Sequence, residues 1–301
     1  MIVVIDFGSQ YNQLIARRVR ECRVYCQIEA PETAMEAIRS LQPEGIILSG
    51  GPSSIYEQNS PKLDPAVFEA GIPVLGICYG MQFMIHSLGG TVEKAAKREY
   101  GFAELSIKSR EKIFETVEAQ TSCWMSHGDS IVALPPGFTA AASTPSTEFA
   151  AAADPRRRLY GLQFHPEVHH TPKGKQILKN FVLGICGCKQ NWTMKSFARN
   201  AVSEIREAVG EKKVILGLSG GVDSSVTALL IHKAIGKNLT CIFVDNGLLR
   251  QNEADRMKKL LKQHLDIHIR FVNARKQFLE ALAGVTDPEK KRKIIGRVFM
   301  D

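Results

Sequence analysis

Short apolar runs, each followed by a glycine-rich turn or an amphipathic stretch, recur along this 301-residue chain and restrict its fold more than any other feature. Met1–Asp6 precedes a helical pattern over Tyr11–Glu21. Gly45–Leu48 runs into Ser49-Gly50-Gly51-Pro52, and Val74–Ile77 precedes a helical stretch from Tyr79 to Leu88. Strand then helix, repeated, predicts a parallel sheet with helices on both faces. Ala103–Ile107 and Phe149–Ala153 read as antiparallel additions, and Leu159–Phe164 as a last strand leading into His165-Pro166-Glu167. Small and polar residues around Gly184–Asn191 break the pattern, so a boundary between domains 1–189 and 190–301 is expected there. A helix over Thr193–Val209 opens a second series, with strands at Val214–Leu218, Thr240–Val244 and His268–Val272 and helices at Ser224–Ala234 and Glu253–Gln263. The expected fold class is α/β, as two doubly wound domains. The second series reaches Asp301 within a helical pattern after only three strands, so that domain is expected to be incomplete.

Composition excludes several classes. Hydrophobic residues at 44% and charged residues at 23% fit a globular chain, and no apolar run approaches the roughly 20 residues of a membrane span. The apolar start MIVVIDFG lacks a basic leader and reads as a strand, which predicts a cytoplasmic protein with no membrane partner. The net charge of +8 is dispersed apart from Arg156–Arg158 and Lys290–Lys293, and no array of stacking aromatics accompanies it. A nucleotide is therefore expected as partner, and no nucleic acid. The seven cysteines include no CxxC pair and no zinc spacing, and Cys186 and Cys188 are placed poorly for a disulfide. Free thiols are expected, one of them available for catalysis.

Gly76-Ile77-Cys78-Tyr79-Gly80 sets a thiol between glycines, after a strand and before a helix. This is the thiol form of a nucleophile elbow, in which glycines are required because the strained turn leaves no room for side chains. The helix N-terminus favours thiolate. Tyr79 N–H points to where an oxyanion would form, and Gly51 N–H offers a second donor. His165 is the expected base, taking the thiol proton and passing it to the leaving group, and Glu167 would fix its tautomer. A glycine-flanked cysteine alone is more often structural. Its combination with Ser49–Pro52 upstream and His165–Glu167 downstream makes a Cys-His-Glu triad the better reading.

Ser219-Gly220-Gly221-Val222-Asp223-Ser224-Ser225 follows a strand and opens a helix. Backbone N–H groups and three hydroxyls there suit a phosphate, and Asp223 beside it suggests a bound Mg²⁺. The loop lacks the Gly-Lys-[Ser/Thr] ending of a Walker A motif.

Gly76–Gln82 (GICYGMQ) with Gln163–Glu167 (QFHPE) resembles the class I, or triad, glutamine amidotransferases. The resemblance implies a flavodoxin-like domain in which Cys78 attacks the glutamine side-chain amide, giving a glutamyl thioester and ammonia. It further implies that Gln82 holds glutamine and that the main chain of His127, Gly128 and Asp129 grips its α-amino and carboxylate ends. His127 reads as a substrate-loop residue and not a base, because no carboxylate stands two residues on, and His169 and His170 read as surface or packing residues. The Ser219–Ser225 loop resembles the pyrophosphate loop of the ATP-pyrophosphatases, an adenine-nucleotide α-hydrolase-like fold. That implies ATP as co-substrate, adenine against the Val244 backbone and Asp245–Arg250 as the adjoining wall.

The two halves in this order, with Asp6–Tyr11, Arg98–Gly101, Trp124–Asp129, Phe243–Arg250 and Asp287–Gly296, are similar to the GMP synthase family over the whole chain. Asn12 and Ile55 are mild departures. The resemblance implies that ATP activates XMP as an adenylyl intermediate and that ammonia displaces AMP to give GMP. It sets Arg292 near the XMP phosphate, and a homodimer would form through a further C-terminal domain. The 301-residue chain is expected to hydrolyse glutamine and bind ATP in part without making GMP. Two alternatives stand: a free-standing glutaminase whose second domain binds nucleotide as a regulator, and a non-catalytic fragment.

Overall fold

The computed structural model describes residues 1–109 (backbone alone at 95–98), 111–250, 253, 255, 259 and 267–300. The expected helix Glu253–Gln263 lies largely outside the described residues. The chain divides into two compact units, Met1–Thr193 and Met194–Asp301.

The first unit is built on β1 (Ile2–Ile5), β2 (Cys26–Glu29), β3 (Gly45–Leu48), β4 (Val74–Ile77), β5 (Thr91–Ile107), β6 (Gln120–Ala133), β7 (Thr139–Ser143), β8 (Ala151–Asp154) and β9 (Leu159–Leu162). They form one sheet in the order β2-β1-β3-β4-β9-β8-β7-β5-β6. The β2-β1-β3-β4-β9 half is parallel and the remainder antiparallel. Every residue of β1, β3 and β4 is buried, the signature of a parallel sheet covered on both faces.

The period of two divides those residues between two cores. Ile2, Val4, Ile47, Leu75 and Ile77 pack with Ile15 and Val19 of helix α1 (Asn12–Glu21), with Ile177 of α4 (Gly174–Lys179) and with Phe181. Val3, Ile5, Ile46, Leu48 and Val74 face the other way, against Ala34 and Ile38 of α2 (Ala34–Leu41) and Met81 and Met84 of α3 (Tyr79–Ser87). Each fully buried Val, Leu or Ile contributes about 1.5–3 kcal/mol over its exposed state, so this central sheet is a rigid platform. A charge placed at Val4 would break one core outright.

The second unit holds helix α5 (Met194–Val209) and a parallel sheet β10 (Val214–Leu218), β11 (Leu239–Asp245) and β12 (His268–Asn273), with β11 central. Helix α6 (Val222–Ile235) follows β10, and Leu218, Ala228, Leu239, Cys241 and Phe243 form its small core. Among the described residues no helix is long and apolar enough to cross a membrane.

Candidate active site

Cys78 sits between β4 and α3 with φ 50° and ψ −108°, a backbone conformation that costs a non-glycine residue about 1–3 kcal/mol. Hydrogen bonds from Cys78 N–H to Leu162 O (2.7 Å) and from Gly80 N–H to Ser49 O (3.0 Å) hold the turn. The flanking glycines are steric necessities. A Cβ on Gly76 would lie 2.7 Å from the Gly80 backbone, and one on Gly80 would lie 2.5 Å from Leu48 O. The elbow is thus wedged between β3 and β9, and its sulfur is presented at the carboxyl ends of the parallel strands.

The segment 163–167 leaves β9 and brings His165 to the same place. His165 Nδ1 donates to Glu167 Oε1 at 2.7 Å, the ring lies beside the Cys78 side chain, and the Cys78 thiol donates to Ser126 O at 3.6 Å. Glu167 is fully buried, and its Oε2 has no partner, so its charge is balanced through His165. Burial pulls the His165 imidazolium down, but the Glu167 carboxylate and Cys78 outweigh it and hold His165 well above the ordinary histidine value. A histidine so held keeps the proton it takes from a thiol until a better acceptor arrives. Its backbone is pinned as well: His165 N–H donates to Trp124 O (3.0 Å), Thr171 Oγ1 donates to His165 O (2.7 Å), and Arg18 Nε donates to Glu167 O (3.0 Å). The loop Ser49–Gly51 closes the other side, where a Cβ on Gly50 would lie 3.1 Å from His165 Cε1 and 3.6 Å from Cys78 Cβ. Tyr79, the first residue of α3, has an N–H with no partner inside the helix.

A cavity of about 650 Å³ opens over the sulfur, and Cys78, Gly51, Gln82, His127, Gly128 and Asp129 all line it. His165, Glu167 and Tyr79 lie outside that lining. Gln82 is buried, and its Nε2 donates to Asp129 O (3.0 Å) and to Gln163 Oε1 (3.1 Å).

His127 differs from the sequence expectation in one respect. No carboxylate stands two residues on, but register pairs it with Glu99 across β5 and β6, and His127 Nε2 lies 3.4 Å from Glu99 Oε2. The pair is close enough for charge interaction, but the ring nitrogen lacks hydrogen-bond alignment. Burial raises Glu99, while hydrogen bonds from Thr147 and Ser146 and the neighbouring His127 outweigh it and hold the carboxyl below the usual range. His127 Nδ1 meets Asp129 O at 2.9 Å, and since a carbonyl only accepts, that nitrogen carries the proton. His127 therefore props the carbonyl that Gln82 uses, and it has a carboxylate neighbour that only the strand register reveals.

Gln163, Thr171 and Arg18 were missed as site residues by sequence reasoning. Gln163 lies inside the QFHPE string that drew attention to its neighbours. Thr171 and Arg18 act through backbone atoms and leave no local signal. Among the other thiols, burial pushes Cys123 up to about 12 and raises Cys26 and Cys241, while the hydrogen bond from Cys186 holds Cys188 below the ordinary thiol value.

In the second unit, Gly220 adopts φ 83° and α6 begins at Val222. Ser219 Oγ and Ser224 Oγ are 3.0 Å apart, Gly221 N–H donates to Ser219 Oγ (3.3 Å), and Ser225 Oγ donates to Gly221 O (2.9 Å). Asp223 is exposed at the first turn of the helix and Val244 lies at the end of β11. Asp245 pairs with Arg275 at 2.9 Å. Arg292 lies on the exposed helix Pro288–Met300, ion-paired with Glu289. Among the described residues no group of three or more His, Cys, Asp or Glu side chains converges to hold a metal.

The model of the family described as "Glutamine amidotransferase class-I" matches residues 3–185, and one described as "NAD synthase" matches 193–293. A protein from Acetivibrio thermocellus named "GMP synthase [glutamine-hydrolyzing]" is 54% identical over 300 residues, 100% of this chain and 59% of that protein. One of the same name from Carboxydothermus hydrogenoformans is 54% identical, over 99% of this chain and 59% of its own length. The chain thus spans 59% of the length of these relatives. Among solved structures, a GMP synthase subunit from Thermoplasma acidophilum is 31% identical, with a TM-score of 0.54 over 62% of this chain and 93% of its own.

Proposed function

The chain belongs to the class-I glutamine amidotransferase family, and from that premise we propose that its first unit hydrolyses glutamine at Cys78 while its second uses ATP to activate an acceptor for the ammonia. Gln82 and the main chain of His127, Gly128 and Asp129 hold glutamine in the cavity, side-chain amide toward the sulfur. Cys78 Sγ attacks the amide carbon as His165 takes the thiol proton. The oxyanion is received by the N–H groups of Tyr79 and Gly51. Collapse breaks the C–N bond, His165 gives its proton to the departing nitrogen, and ammonia leaves a glutamyl thioester on Cys78. Water then adds with His165 as base, the C–S bond breaks, glutamate is released and the Cys78 thiol is regenerated. Glu167 stabilises the imidazolium formed in each half.

The observation that carries the reading is the buried triad: a thiol on a strained elbow, beside a histidine whose Nδ1 is 2.7 Å from a fully buried carboxylate. In the second unit, Ser219, Gly220, Gly221, Val222, Asp223, Ser224 and Ser225 would cradle the phosphates of ATP, with adenine at Val244. Mg²⁺ fits an exposed single carboxylate beside hydroxyls; Asp223 would hold it, and it would offset phosphate charge. The names of the relatives support GMP as product; XMP would be the acceptor, with Arg292 toward its phosphate. A homodimer and a cytoplasmic setting belong to the same reading. Ammonia release from glutamine tests it: turnover by the wild type, and loss in Cys78→Ala with folding retained, is expected. Unchanged release in Cys78→Ala refutes the triad. ATP–pyrophosphate exchange that depends on XMP tests the second half.

A further inference from the structure

Two contacts to the nucleophile lie outside the triad: the Cys78 thiol donates to Ser126 O at 3.6 Å, and Gln163 donates to the sulfur. Gln163 is fully buried beside the sulfur, and its Nε2 lies 3.7 Å from Cys78 Sγ, within reach of the larger sulfur atom. Its orientation is fixed, because Gln82 Nε2 donates to Gln163 Oε1 at 3.1 Å and an amide that accepts on one side must present its N–H groups on the other. Gln82 is fixed in turn by Asp129 O, which also accepts from His127 Nδ1. A continuous hydrogen-bonded chain thus runs from the loop lining the cavity to the sulfur.

We propose that Gln163 is a further catalytic residue, a side-chain N–H donor that stabilises the Cys78 sulfur as an anion and is aimed at it by Gln82. The proposal rests on Cys78 being the nucleophile. It gives the thiolate a donor besides His165, one that carries no proton of its own to transfer and so stays in place through both half-reactions. It also assigns Gln82 a second task, since the residue lining the glutamine cavity is the one that orients the donor to the nucleophile.

The test is the rate at which iodoacetamide alkylates Cys78 at neutral pH, followed by peptide mass spectrometry, together with glutaminase kinetics. Gln163→Met keeps the length and removes the donor. A hydrogen bond to a charged group is worth about 1.5 kcal/mol at the low end, so alkylation should slow about tenfold, and kcat should fall by a similar factor with KM little changed. Gln163→Glu keeps the acceptor for Gln82 but turns an oxygen toward the sulfur, and should slow alkylation further. A variant that merely loosened the fold would expose the buried Cys78 and speed alkylation, the opposite sign. Wild-type or faster alkylation in both variants overturns the proposal. Absence of glutamine turnover in the wild type, with alkylation still slowed in the variants, would instead sink the glutaminase reading and leave the Gln163 contact standing.

Discussion

Replacing Glu167 by Gln isolates the electrostatic part of the triad. The substitution is nearly isosteric, keeps an oxygen within reach of His165 Nδ1 and removes a fully buried charge that sits 2.7 Å from the ring. Burial acts on His165 in the opposite direction to Glu167, so removing the carboxylate leaves burial to dominate. A hydrogen bond to a charged group is worth about 1.5–3 kcal/mol, so His165 should titrate lower in the variant. Imidazole titration by NMR on labelled histidine reads this directly.

The stability consequence has a defined sign. A histidine raised in the folded state stabilises it fully below the unfolded value of about 6.5, and that contribution is lost as pH rises through the folded value. The wild type should therefore exceed Glu167→Gln most in thermal or denaturant unfolding below pH about 6.5, with the gap closing at higher pH. Glutaminase kcat should fall about 10²–10⁴-fold, the usual range for losing assisted proton transfer. An His165 titration that is the same in both proteins, or a stability gap that widens as pH rises, would refute the reasoning.

Cys78→Gly should be about 1–2 kcal/mol more stable than Cys78→Ala, because the strain of a non-glycine residue, about 1–3 kcal/mol, exceeds the greater unfolded freedom of glycine, about 0.4–1 kcal/mol; equal denaturation midpoints would contradict a strained elbow. Gly174→Ala would set a methyl 1.9 Å from Pro166 O, forcing the His165–Glu167 segment to shift, and should lower kcat although residue 174 is not at the cavity; unchanged turnover counts against rigid placement of that segment. Glu99→Gln should weaken the support of the Asp129 carbonyl and raise KM for glutamine roughly tenfold, with kcat much less affected. A fall confined to kcat would mean that His127 acts in the chemistry.

The parallel strands that carry the site were legible in the sequence because both their faces are buried. The runs Gly45–Leu48 and Val74–Ile77 were placed without error, and the elbow announced itself through glycines that steric contact does require. β2 was not legible: Cys-Gln-Ile-Glu is short, half polar and at the sheet edge. The β5–β6 ribbon was legible only at Ala103–Ile107, since its other residues are mixed in polarity and hold their conformation by pairing with each other. The Glu99–His127 contact depends on that register, 28 positions apart in sequence, so no local pattern could reveal it. Gln163 was passed over for a different reason: its amide has no acid–base chemistry, and its importance lies in what Gln82 makes it face.

The most direct measurement is covalent capture. A diazoketone analogue of glutamine should modify Cys78 stoichiometrically, free glutamine should protect it, and Cys78→Ala should take up none. Modification of Cys22, Cys188 or another thiol in place of Cys78, or labelling that persists in Cys78→Ala, would contradict the assignment of Cys78 as the glutamine-attacking nucleophile.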